Sequence, residues 1–156
     1  MDKSNAQLPL KIRGALGSPY SLKMRAVLRY RHIPFKWVPQ GSKWDDLPPF
    51  PLIPVIAFPD DAGNYGDAQM DSSPLIMRLE SMFAGRSLVP VDPVVAFLDY
   101  LIEDFADEWV TKAMFHYRWH YAEDAAHAAP LLAFWQNLHL AEGPAKTSSQ
   151  IGRAHV

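Results

Sequence analysis

Apolar and polar residues alternate through LPLKIRGAL, the period-two signature of a half-buried strand, and place a strand at about Leu10 to Leu16. Gly17 and Ser18 form a turn, Pro19 suits a first helical position, and Met24, Val27, Leu28 and Arg31 follow at helical spacing. A helix is therefore expected from Pro19 to Arg31. IPFKWVP reads as a second short strand, and strand–helix–strand order implies a parallel pair joined by a right-handed crossover. From Gln40 to Pro51 the pattern is broken by Gly41, Pro48, Pro49 and Pro51, a loop with room for one helical turn around Ser42 to Leu47. PVIAF is an apolar third strand, PDDAGNYG a turn and DAQM a short fourth strand, together a hairpin. Asp71 or Ser72 can cap the next helix, Pro74 falls in its first turn, and Leu75, Ile76, Leu79 and Met82 form its apolar face.

Beyond this βαβ-ββα order the pattern changes. Residues 8–84 read as one α/β domain and the turn-rich GRSLVPVD, over 85–92, as a linker. Val94, Phe97, Leu98, Leu101, Ile102, Phe105 and Trp109 then recur at steps of three and four, with no breaker before Pro130. One long helix is expected from Pro93 to Tyr121 and another from Ala129 to Ala141. Residues 93–150 are thus a partial all-α domain. The last stretch, IGRAHV, coincides with one translated frame of a widely used sequencing adapter, so 151–156 is expected to be a non-native tail on a truncated chain.

Composition narrows the chemistry. The formal net charge is -2 and Lys and Arg form no run, so neither a nucleic-acid nor an anionic-membrane partner is indicated. No window approaches the roughly 20 apolar residues of a membrane span, and MDKSNAQLPLK lacks the apolar core of a secretory signal. A cytoplasmic location is the expectation. The absence of cysteine excludes disulfides, thiolate metal sites and dithiol redox catalysis, though not a thiol brought by a ligand.

Three motifs carry a resemblance. SPYS stands at the first strand–helix turn, LIPVI at the start of the third strand, and MDSSPLI at the start of the following helix. In this order the chain resembles the glutathione transferase family from Leu8 to about Tyr121. The resemblance implies an α/β thioredoxin-like domain with a four-stranded mixed sheet, followed by a partial all-α domain. It implies a Ser-type site in which Ser18, or alternatively Ser21, donates a hydrogen bond to the sulfur of bound glutathione. Such a bond and the helix dipole lower a thiol pKa. It makes Pro54 the family's cis-proline, with the backbone of Ile53 pairing with the tripeptide as an added strand. Asp71 and Ser72 would hold the γ-glutamyl ammonium and carboxylate, helix N-termini favouring anions. The family often carries Lys or Arg shortly before the cis-proline. PPFPLIP has none, which leaves Lys43 or Trp44 for the glycyl end, or no contact there.

Each of these residues has a plainer use. Ser18, Asp71 and Ser72 are good helix caps, and Pro54 suits a strand start as a trans proline. In MFHYRWHY, His116 and His120 share a helix face, with Glu123 and Asp124 nearby. No HExxH accompanies them, and they are read as partly buried or interfacial side chains rather than metal ligands. Glu103, Asp104, Asp107 and Glu108 are read as a solvated face opposite a Phe97, Leu101, Phe105 and Trp109 stripe, with Glu108 and Lys112 paired.

The reading that results is a cytoplasmic glutathione transferase-like enzyme that takes glutathione as co-substrate and attacks a small electrophile, with no metal. A homodimer is the family's habit. The alternatives are a non-catalytic protein-interaction module of the same fold, and a glutathione-dependent isomerase or lyase.

Overall fold

The computed structural model describes residues 8–136. The chain divides into two compact units between Leu88 and Val89. The first contains β1 (Leu10–Gly14), α1 (Pro19–Tyr30), β2 (Phe35–Pro39), β3 (Val55–Phe58), β4 (Asp67–Met70) and α2 (Ser72–Met82). Its four strands lie in the order β2-β1-β3-β4. The β1–β2 pair is parallel, and β3 is antiparallel to both β1 and β4. This is the expected thioredoxin-like mixed sheet.

Side-chain alternation divides the labour between the two sheet faces. Leu10 and Ile12 of β1 and Ile56 and Phe58 of β3 share one face, where Met24 and Leu28 of α1 and Leu75 and Leu79 of α2 complete the core. Each fully buried Leu or Ile contributes about 1.5–3 kcal/mol relative to exposure. The other face carries Lys11, Arg13, Val55 and Ala57, and the 40–54 loop covers it. Buried Arg13 donates from Nη1 to the carbonyls of Pro48 at 2.9 Å and Leu47 at 3.3 Å, and pairs with Asp45 at 3.3 Å. Lys11 reaches Asp46 at 2.5 Å.

The elements differ from expectation for local reasons. β1 stops at Gly14, short of Leu16, because the Ala15 N–H is taken by the Ser21 hydroxyl and its carbonyl by the Ser18 N–H. Residues 42–47 make tight turns instead of a helical turn: the Asp45 N–H bonds the Ser42 carbonyl and the Asp46 N–H that of Trp44. Within 85–92, expected as a linker, Ser87 Oγ and the Leu88 N–H both donate to Glu80.

The second unit has α3 (Pro93–Phe105), a π-helical turn (Ala106–Val110), α4 (Thr111–Trp119) and α5 (Ala122–Gln136). Asp92 caps α3 by accepting from the Val94 and Val95 N–H groups. The expected single helix from Pro93 to Tyr121 is interrupted at the π turn, where the Thr111 hydroxyl bonds the Asp107 carbonyl four residues back, a contact that competes with the backbone ladder. The next helix starts at Ala122, before the expected Ala129, and runs through Pro130. Proline removes one intrahelical bond and kinks a helix without having to end it. Ala141 and the 151–156 tail lie outside the described residues.

Two expectations for this unit are corrected. Phe97, Leu101, Phe105 and Trp109 are 45–60% exposed, so the stripe is not a buried face among the described residues. Lys112 places its ammonium 3.8 Å from the Trp109 ring centroid, a cation–π contact, in place of the Glu108 pair. No helix among the described residues is long and apolar enough to cross a membrane.

Gly14 is a position without room for a side chain. A Cβ there would lie 2.4 Å from Ser21 Oγ and 2.8 Å from the Trp37 ring. Gly14→Ala is expected to cost about 1–3 kcal/mol, as overpacking does, read as a lower urea midpoint at unchanged slope. Asp67 offers a pH test. Its hydrogen bond from Arg78 holds its carboxyl below the usual value, so its stabilisation is complete above the unfolded carboxylate pKa of about 4. It is lost as pH falls through the lower folded value. Because Asp67 is largely exposed, Asp67→Asn should cost only about 0.2–1 kcal/mol at neutral pH. That gap should close when unfolding is repeated near pH 2.

Candidate functional site

Register brings the three sequence motifs to one end of the sheet. Arg13 pairs with Val38 on one side and Val55 on the other, and Val55 pairs with Met70. Just past this row the chain leaves β1 toward Ser18, enters β3 from Pro54 and leaves β4 toward Asp71 and Ser72. The helices reinforce the convergence. Lys23, near the start of α1, donates from Nζ to the hydroxyl of Ser72, the first residue of α2, at 2.9 Å. At the far end Arg31, the C-cap of α1, pairs with Glu80 at 3.0 Å and donates to the Phe83 carbonyl at 2.5 Å. Start meets start and end meets end, so the helices run side by side in the same direction. Both positive dipole ends face the same edge of the fold.

Ser18 is half-buried and is the N-cap of α1: its hydroxyl accepts from the Ser21 N–H at 3.2 Å. An accepting hydroxyl still has its own proton to donate. Ser21 is fully buried beneath it, and its hydroxyl accepts from the Ala15 N–H at 3.3 Å. Ser21 therefore ties the turn to the end of β1. Gly14 is what lets it approach, because any Cβ would occupy the same space.

The Ile53–Pro54 peptide is cis. Pro54 is fully buried, and Ile53 is half-buried at the mouth of β3. Asp71 is the N-cap of α2 by position, but its side chain makes no capping hydrogen bond, and it is exposed with φ at 79° and ψ at 119°. A non-glycine residue held there costs of order 1–3 kcal/mol, and such conformations cluster at ligand sites. Ser72 is buried, its hydroxyl engaged by Lys23. Lys43 and Trp44 sit apart on the exposed stretch of the 40–54 loop. There the Lys43 ammonium lies 5.0 Å from the centroid of the Trp44 ring.

Three contributors were not singled out from sequence. Lys23 matters only because α1 and α2 lie side by side, which no local spacing encodes. Arg13 is buried on the sheet face opposite Ile12, where the proline-rich 40–54 loop covers it. Trp37 closes over Gly14 from β2, and Arg25 lies 4.7 Å from its ring centroid.

The histidine pair is exposed rather than partly buried. The His116 and His120 rings stack at 4.4 Å between centroids. No group of three or more His, Cys, Asp or Glu suited to a metal ion occurs among the described residues.

What remains is a cation, a buried hydroxyl and two helix N-termini at one end of the sheet, with an uncommitted carboxylate beside them. That arrangement suits a small ligand bearing both a carboxylate and an ammonium. Comparison with known families finds that residues 13–87 match the model described as Glutathione S-transferase, N-terminal domain. A comparison with the curated proteins gives no match.

Asp71 yields a stability test that needs no ligand. Asp71→Gly removes the steric cost of the positive φ, partly offset by the extra freedom of glycine in the unfolded chain. The variant is expected to be more stable by up to about 1 kcal/mol, seen as a raised urea midpoint, whereas Asp71→Asn should change it little.

Proposed function

From the match of residues 13–87 to the model of a glutathione S-transferase N-terminal domain, we propose that the chain binds glutathione at this end of the sheet and activates it as a thiolate. The family supports a glutathione-binding, transferase-like role. The single observation that carries the reading is the convergence of Ser18, Pro54 and Ser72 at one end of the sheet under two parallel helix N-termini.

In this reading the γ-glutamyl carboxylate lies at the start of α2 against Ser72, and its ammonium pairs with Asp71. The cysteinyl backbone pairs with Ile53 at the mouth of β3. The sulfur then falls over the start of α1, where the Ser18 hydroxyl can turn its proton toward it. Capping and activation do not compete, since Ser18 accepts from Ser21 and donates to sulfur. The thiol proton leaves to solvent, and the hydrogen bond and the α1 dipole stabilise the thiolate left behind. The sulfur then attacks an electrophilic carbon. The protein contributes ionisation and positioning, with no covalent intermediate of its own.

Two substitutions separate the roles of Ser18. Ser18→Asp keeps a good helix cap but has no proton to give at neutral pH and repels a thiolate. Ser18→Ala loses both functions. Both variants are expected to lower kcat/KM toward a generic electrophile by about 10- to 100-fold, the worth of one hydrogen bond to a charged group. Only Ser18→Ala should lower the melting temperature. Unchanged turnover in both would leave Ser18 as a cap and remove it from the chemistry, and failure of the wild-type chain to bind glutathione would favour the interaction-module reading.

A further inference from the structure

The last turn of α4 carries two side chains for which the glutathione reading has no use. His116 and His120 stand four residues apart, and the His120 N–H bonds the His116 carbonyl at 2.8 Å with His120 itself still in helical conformation. The turn between them is therefore closed, and both side chains leave the same helix face with Cβ atoms about 5–6 Å apart. Both imidazoles are exposed, and their ring centroids lie 4.4 Å apart at an interplanar angle of 22°. Tyr121 meets His120 at 5.0 Å and His116 at 6.0 Å, and Tyr117 meets His116 at 5.3 Å, each close to perpendicular. These edge contacts keep the two imidazoles together on one side of the helix.

The chemistry open to such a pair is chelation. Neutral imidazole is a good ligand for the later first-row divalent metals. Two imidazoles bound to one ion at the usual metal–nitrogen distance of about 2.0–2.1 Å have ring centroids roughly 4.5–5 Å apart, close to the spacing already present. Bringing a nitrogen of each ring onto one ion requires rotation about χ2, a broad torsion that an exposed imidazole can turn. Once one ring has bound, the helix delivers the other as an intramolecular ligand at high effective concentration. Charge around the pair also favours a cation. The pair sits at the negative end of α4. Lys112, one turn earlier on the same face, directs its ammonium back to the Trp109 ring at 3.8 Å. Glu123 and Asp124 follow in the first turn of α5.

We infer that His116 and His120 form a two-imidazole chelate site for a late first-row divalent metal ion, with water completing the shell. The site is built from α4 and its C-cap and stands independently of glutathione binding. Imidazole ligands and the general order of divalent affinities set its preference: Cu2+ tightest, Ni2+ and Zn2+ weaker, and Mg2+, which takes oxygen ligands, not bound.

The test is calorimetric titration of the full chain with Cu2+, Ni2+, Zn2+ and Mg2+ at neutral pH in a non-coordinating buffer. Wild type, His116→Ala, His120→Ala and His127→Ala are compared, the last replacing an exposed histidine of α5. His116→Ala and His120→Ala should each weaken Ni2+ binding by at least about tenfold, the loss of an intramolecular second ligand. His127→Ala should leave it unchanged. Ni2+ should also raise the melting temperature of wild type, as a ligand of the folded state does, by more than that of either α4 variant. An unchanged Ni2+ affinity in either α4 variant places the ion elsewhere in the chain and overturns the inference, as does an equal loss on His127→Ala. Absence of both Cu2+ and Ni2+ binding to wild type overturns it outright. The electron paramagnetic resonance spectrum of wild type with one equivalent of Cu2+ decides the ligand set even if a variant fails to fold. Hyperfine splitting from two imidazole nitrogens is expected, and splitting from one or none overturns the inference.

Discussion

The antiparallel pairing of β1 with β3 is the constraint on which the rest of the first unit depends. Arg13 opposite Val55 fixes which end of β1 lies beside the cis-proline, and Val55 opposite Met70 carries the alignment on to α2. A slip of one residue would turn Ile12 and Ile56 out of the core and bring Arg13 into it, because strand side chains alternate faces. Burial on both faces therefore enforces the register. The alignment of the three turns at the sheet edge results from core packing without requiring the turns to attract one another.

Polar contacts then finish what the core begins. Met24, Leu28, Leu75 and Leu79 hold α1 against α2 but leave sliding along their axes cheap, since apolar contact has no direction. Lys23 with Ser72 at one end and Arg31 with Glu80 and Phe83 at the other pin that motion. On the opposite face Arg13 does the same for the 40–54 loop. Breaking such a buried contact strands a charge, so its value is specificity of arrangement more than net stability. The chain uses few charges in this way, and each joins segments more than thirty residues apart in sequence.

Much of this was legible in the sequence because it is local. The four strands and two helices of the first unit arise from alternation, helical spacing and proline placement; β1 ends short of Leu16 through side chain–backbone bonds, and α1 ends at Tyr30, one residue before the expected Arg31, through a backbone turn in which the Ile33 N–H reaches the Leu28 carbonyl past His32 at φ 56°. The SPYS, LIPVI and MDSSPLI motifs marked the right turns because turn chemistry is written within a few residues. Lys23 and Arg13 were not legible, since their roles depend on which segments become neighbours. The second unit was read less well for a related reason. A period of three to four predicts an apolar face but not what covers it, and neither a π turn at Ala106–Val110 nor a proline carried inside α5 has a strong local signature.

The turn Ser18-Pro19-Tyr20-Ser21 shows how one short segment can satisfy structure and leave chemistry available. A hydroxyl has one proton and two acceptor positions. Ser21 spends an acceptor position on Ala15, inside the fold and out of reach of a ligand. Ser18 spends one on the Ser21 N–H, the bond that any good cap would make. It keeps its donor, at the positive end of a helix where an anion is favoured and a neutral thiol is not. Replacing Ser18 by cysteine would put a protein thiol at the positive end of α1, where a thiolate is favoured. In the proposed reading, a chain without cysteine keeps that position for a sulfur that arrives with the ligand.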